Sequence, residues 1–209
     1  MATTAKALDK HRMAGLQDGV YSIAMTLLVL ELKLPALPGH VNDAQMWAAL
    51  LALWPKALTW LLSFWVLGVF WMSDVRALAA YATLDRVLAR LSLWRLALVS
   101  LLPFSTALMG EHGDLVPSSA VYASHIAALA LLNYARFEYM YRDPNLLASG
   151  TQADIGTTRM QAIATLTGSL VALGLAFVVP AYNMLALLPA LAFRLGGKAK
   201  HHAIRSDAA

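Results

Sequence analysis

Residues 160–193 contain no Asp, Glu, Lys or Arg. As one helix these 34 residues would be about 51 Å long, well past a hydrocarbon core of about 30 Å. The run therefore reads as two crossings with a break between them. Pro180-Ala181-Tyr182-Asn183 supplies the break, with a proline and turn-forming residues. Only 13% of the 209 residues are charged, against about 25% in an ordinary soluble domain. So few charges cannot cover a soluble surface, whereas lipid-facing surface needs none.

A spanning helix needs about 20 mostly apolar residues. Candidate spans fall at 13–34, 47–73, 93–110, 117–139, 162–179 and 184–195. Lys56 interrupts the second, Pro55 is placed to kink it, and Pro103 lies in the third. The fold expected is an all-α integral membrane protein with six transmembrane helices per subunit. The domain covers 1–196, followed by a polar cytoplasmic tail over 197–209.

The basic residues fix the sidedness expected of these spans. Lys6, Lys10 and Arg12 precede the first span. Arg76, Arg86, Arg90 and Arg95 fall in or at the edge of the second connection, and Arg136, Arg142 and Arg159 near the fourth. Arg194, Lys198, Lys200 and Arg205 lie in the tail. That places 14 of the 16 Lys and Arg on one side, leaving Lys33 in an opposite loop and Lys56 within a span. Positive charge gathers on the cytoplasmic side, so both termini are expected there, in the cell inner (plasma) membrane. The first apolar segment is no signal peptide. Asp18 interrupts its start, and Glu31-Leu32-Lys33-Leu34-Pro35 offers no small-residue cleavage site.

Several functions are excluded. With no cysteine there is no disulfide, thiolate metal site or thiol nucleophile. The net charge of +4 is distributed between apolar runs and forms no nucleic-acid patch. No nucleophile-and-base set or phosphate loop occurs, so an enzyme is not expected, nor any cofactor or metal. His125 reads as a packed polar residue rather than a ligand, and His201-His202 has nothing to complete a metal site. Trp47, Trp54, Trp71, Trp94, Tyr134, Tyr139 and Tyr141 lie near span ends, where aromatic anchors sit. No internal repeat supports an inverted-repeat transporter.

The first span holds the candidate site. An Asp this close to the membrane is costly to bury and usually has a partner. Asp18 and Arg12 are six residues apart and do not share a helical face. Each is expected to pair with another helix or another subunit, in a polar network to which Asp74 is also assigned. Ile23, Thr26 and Leu30 share one face, with Ser22 beside it. Around a pore axis, copies of Ile23 and Leu30 would form apolar rings that hold water out. Copies of Thr26 would offer hydroxyls to a partly dehydrated cation.

The segment from Arg12 to Glu31 resembles the first helix of the prokaryotic members of the transmembrane protein 175 family of potassium channels. Their signature is Arg-x-x-x-Phe-Ser-Asp, a Gly-Val-Phe-Ala-Ile-Ala-type run and Thr-Leu-Leu-Val-Leu-Glu. Arg12, Asp18, Gly19, Val20, Ile23, Ala24 and the run Thr26-Leu27-Leu28-Val29-Leu30-Glu31 match it, while Leu16 and Gln17 replace the Phe and Ser. Ser63-Phe64, Trp71 and Leu102-Pro103-Phe104-Ser105-Thr106 also resemble family segments, with Asp74 where the family usually has His. The resemblance implies a homotetramer with first helices around a central cation pore. It places Ile23 and Leu30 at hydrophobic constrictions and gives Thr26, with Ser22 beside it, a part in selectivity.

The function expected is a potassium-permeable cation channel. Its partners would be further copies of itself, the lipid bilayer and monovalent cations, with K+ as cargo and not as cofactor. The alternative is a proton-coupled secondary transporter using Asp18, Asp74 and His125 as proton sites.

Overall fold

The computed structural model describes residues 10–189 except Pro38, Gly150 and Thr151. The described chain consists of helices and short connections, with an isolated bridge between Tyr81 and Leu147. Its long helices are α1 (Lys10–Leu27), α3 (Trp54–Ala80), α4 (Arg86–His112), α5 (Val116–Arg142) and α6 (Gln152–Leu175), with a short α2 (Asp43–Ala52) before α3. The run Lys10–Glu31, α3 and α4 are long and apolar enough to cross a membrane. α5 and α6, at 27 and 24 residues, match them in length. α5 carries Asn133 and Arg136 inside it, both buried against other helices.

Two of the expected spans differ in detail. The second is not one helix kinked at Pro55. The chain breaks at Leu53, and Pro55 sits in the first turn of α3. Proline is tolerated there because its missing N–H would have no partner in any case. α3 then runs on to Ala80, beyond the expected end at 73. α2 starts with a reciprocal cap: the Asn42 side chain accepts from the Gln45 N–H at 2.9 Å, and the Gln45 side chain accepts from the Asn42 N–H at 3.0 Å. The last two crossings part earlier than expected. α6 ends at Leu175, and Pro180 opens a 3₁₀ segment, Pro180–Leu187, which packs on α5 and α6 through Asn183, Met184 and Leu187. Residues 190–195 of the expected sixth span, the boundary at 196, and the tail with His201-His202 lie outside the described residues.

The ends of the helices sort into two sets. Lys10, at the start of α1, donates to the Tyr81 carbonyl just past α3. The Ala82 N–H donates to Leu146 at 2.8 Å, and the Ala148 N–H to Ala80 at 2.9 Å, tying the α3–α4 and α5–α6 connections together. At the opposite end Lys56 pairs with Glu111 at 3.8 Å, and the Ser119 hydroxyl donates to the Pro180 carbonyl at 3.0 Å. The described long helices therefore alternate in direction, as successive crossings must.

Two apolar clusters fill the interior. The larger gathers Tyr21, Leu28, Phe70, Leu102, Ile126 and their neighbours. The smaller, near the Lys10 end, gathers Ala77, Leu88, Phe137 and Met140. Between them, on α3, α4 and α5 alike, a polar layer interrupts the core.

Candidate functional site: the first helix and the ionic layer behind it

α1 has two chemically distinct faces. Gln17, Tyr21, Ala24 and Leu28 are buried; spacings of four, three and four place them on one stripe. On the far side lie Gly15, Gly19, Ser22, Ile23, Thr26 and Leu30, all exposed in the single subunit. Ile23 is 61% and Leu30 59% exposed. From Leu28 to Glu31 the helix tightens to 3₁₀ geometry. That change swings Leu30 by about 60° from its position on a continuous α-helix and leaves it within about 40° of Ile23. Leu30 thus stays on the side of Ile23, where it is eclipsed with Leu27, which is also exposed. A face that mixes glycine, two hydroxyls and two large apolar side chains differs from the apolar surface that lipid favours.

Thr26 is the chemically informative member. Its Oγ1 lies 3.0 Å from the Ser22 carbonyl oxygen and 2.9 Å from that of Ile23. A hydroxyl has one proton and two acceptor positions. With the proton held by its own helix, the Thr26 oxygen presents lone pairs outward, as a cation ligand must.

The polar network expected of Arg12, Asp18 and Asp74 is divided in this structure. Asp18 is exposed and accepts a hydrogen bond from the Trp71 indole at 2.8 Å. Arg12 is exposed, and among the described residues no ion pair joins it to Asp18 or Asp74 within the subunit. Asp74, by contrast, is 1% exposed. It forms ion pairs with Arg95 at 3.0 Å and with Arg136, and it accepts the Tyr21 hydroxyl at 2.7 Å.

The ionic layer extends further. The Asn133 side-chain oxygen accepts from Arg95 at 2.6 Å, from Arg136 at 2.9 Å and from the Ser73 hydroxyl at 2.9 Å. Each guanidinium also lies against a ring: Arg95 over Phe70 at 5.5 Å and Arg136 over Phe137 at 5.1 Å. One ring belongs to each apolar cluster, so the layer is sealed on both sides. A buried charge is stable only when paired and hydrogen-bonded, and here one carboxylate and one amide oxygen hold two guanidiniums. The layer joins α1, α3, α4 and α5 at a single level.

Arg95, Arg136, Asn133 and Tyr21 were not singled out in the sequence. By sequence Arg95 and Arg136 read as charges of the cytoplasmic connections, yet both fall inside the expected spans 93–110 and 117–139. That placement was the available signal, since an ionisable residue within a span calls for a partner there. His125 is a packed polar residue, as expected. Its Nδ1 meets the Ser105 hydroxyl at 2.8 Å and its Nε2 the Leu98 carbonyl at 2.8 Å.

Comparison with known proteins finds relatives of this chain. Residues 12–103 match the family described as "Endosomal/lysosomal potassium channel TMEM175". A protein of Streptomyces collinus named as a potassium channel is 32% identical over 191 residues, covering 86% of this chain and 90% of its own. One of Chamaesiphon minutus, also named as a potassium channel, is 34% identical over 153 residues, covering 71% of this chain and 74% of its own. Among solved structures, a "lysosomal potassium-selective channel TMEM175 homolog" from Chamaesiphon minutus superposes with a TM-score of 0.75 at 28% identity. That superposition covers 89% of this chain and 96% of the other.

Proposed function

The chain belongs to the TMEM175 family, and on that premise we propose that it is a potassium-permeable cation channel whose pore is lined by α1. The pore is the axis of a homotetramer, with four copies of α1 presenting Ser22, Ile23, Thr26 and Leu30 inward. Ile23 and Leu30 form apolar constrictions that raise the barrier to hydrated ions, while Thr26, with Ser22 beside it, replaces part of a cation's lost hydration. The Thr26 hydroxyl carries this reading. Its proton is held by the Ser22 and Ile23 carbonyls, and its oxygen faces out on the same side as two large exposed apolar residues.

The protein sits in the plasma membrane with both termini cytoplasmic. Arg76, Arg86, Arg90, Arg142 and Arg159 support this, because they gather at the end where Lys10 meets Tyr81 and Tyr81 pairs with Leu147. The proton-coupled alternative finds little support at Asp74. A carboxylate clamped by two guanidiniums and a hydroxyl is poorly placed to exchange a proton with either side.

The test is planar-bilayer recording of the purified protein between asymmetric potassium and sodium solutions. Unitary currents that reverse toward the potassium equilibrium potential are expected. Saturable flux coupled to a second solute, without unitary events, would reject the channel.

A further inference from the structure

We propose that the Tyr21 hydroxyl sets the rotational position of the pore helix and is thereby a positioning residue for permeation, an inference that rests on the channel reading above. α1 meets the rest of the subunit through Gln17, Tyr21, Ala24 and Leu28. Ala24 and Leu28 are apolar contacts, which are non-directional and tolerate rotation. Hydrogen bonds are directional, and several tie α1 to later elements, with the Tyr21 hydroxyl both donating to Asp74 and lying 3.5 Å from an Arg95 nitrogen. Lys10 holds only its first residue, and Asp18–Trp71 lies on an exposed flank. Tyr21–Asp74 is central and buried. Tyr21 is 1% exposed, and its acceptor is clamped by Arg95 and Arg136 on two further helices.

The position of Tyr21 gives this bond its leverage. Ile23 follows two residues later, about 3 Å along the axis and about 160° around it. Anchor and constriction are thus on nearly opposite sides of the same turn. A rotation of α1 that breaks the Tyr21–Asp74 bond turns Ile23 off the axis by the same angle. Tyr21 and Asp74 place a donor and an acceptor 2.7 Å apart across the α1–α3 boundary.

The substitution Tyr21→Phe keeps the buried ring and its packing, so the tetramer is expected to assemble. It removes the buried hydroxyl that bonds Asp74 and Arg95 on the side of α1 opposite Ile23. The control is Tyr122→Phe, because the Tyr122 hydroxyl bonds the Ser63 hydroxyl at 3.0 Å, equally buried but away from α1. Single-channel recording should show open probability raised about tenfold in Tyr21→Phe, with the reversal potential unchanged. That fold-change corresponds to about 1.4 kcal/mol of bias between two states. Tyr122→Phe should leave open probability at the wild-type value. An unchanged or lowered value in Tyr21→Phe, or an equal rise in Tyr122→Phe, overturns the proposal.

A second measurement needs no current. The chain has no cysteine, so Ile23→Cys introduces one thiol per subunit. Its oxidative cross-linking between subunits should fall at least threefold when Tyr21→Phe is added. Unchanged cross-linking overturns the positioning role. Normal cross-linking behaviour without unitary currents overturns the channel reading alone.

Discussion

The Trp71 indole donates to the Asp18 carboxylate at 2.8 Å, so the partner of Asp18 is a neutral donor on α3 of its own subunit. The sequence predicts a buried carboxylate paired with another helix or another subunit, because an unpaired one near the membrane is costly. The carboxylate is instead exposed, and one indole bond suffices. Asp18→Asn keeps an acceptor for the indole and should assemble and melt like the wild type. Trp71→Phe should cost about 1 kcal/mol. A double-mutant cycle with Asp18→Ala, read by thermal melting in detergent, should return a coupling of that size. Additive losses would show that the bond contributes nothing.

Asp74 should behave very differently. Asp74→Asn leaves the Arg95 and Arg136 guanidiniums buried without a counter-charge, and breaking a buried pair in this way costs about 3–5 kcal/mol. The variant should be recovered in low yield or melt far below the wild type. Arg95→Met removes one of the two cations and leaves Asp74 paired with Arg136, so its loss should be smaller. Combined with Asp74→Asn, it should recover part of the single-variant deficit. Comparing melting temperatures for the three variants decides this, and a double variant weaker than Asp74→Asn would contradict the ionic account.

What could be read from the sequence follows from how local each signal is. Apolar length and charge asymmetry are properties of contiguous segments, so the long helices and their alternation were legible. The exposed face of α1 was legible because it needs only helical periodicity. The break at Leu53 was harder, since Pro55 is compatible both with a kink and with a helix start, and only the packing of α3 decides. The ionic layer was least legible. It assembles Tyr21, Asp74, Arg95, Asn133 and Arg136 from four helices, and no spacing along the chain links them. Counting Arg95 and Arg136 as loop charges also hid that Asp74 needed cations at its own depth.

The two faces of α1 can be separated chemically. Single cysteines at Ile23, Thr26 and Leu30 should react with a small water-soluble thiol reagent in the assembled protein if these positions line the proposed ion path. Ala24 and Leu28 are 1% and 0% exposed, and cysteines there should react at least tenfold more slowly. Equal rates on both faces would mean that α1 does not line an aqueous path.

Permeation itself tests Ile23 and Thr26 apart. A ring of large apolar side chains excludes water and so opposes hydrated ions, whereas a ring of hydroxyl oxygens stabilises partly dehydrated ones. Ile23→Ala should therefore widen and wet its constriction and raise the current severalfold. Its reversal potential between potassium and sodium should shift less than that of the Thr26 variant. Thr26→Val keeps the shape but deletes the oxygen that faces outward while its proton bonds the Ser22 and Ile23 carbonyls. It should move the reversal potential toward zero while changing total current less than Ile23→Ala does. Thr26→Ser retains the hydroxyl and should preserve most of the selectivity. Leu27 is 41% exposed and lies about 40° around α1 from Ile23, so Leu27→Ala should also raise the current. If both residues only packed against neighbours, truncation would lower stability and leave permeation alone. Unchanged current in Ile23→Ala together with an unchanged reversal potential in Thr26→Val would remove α1 from the pore.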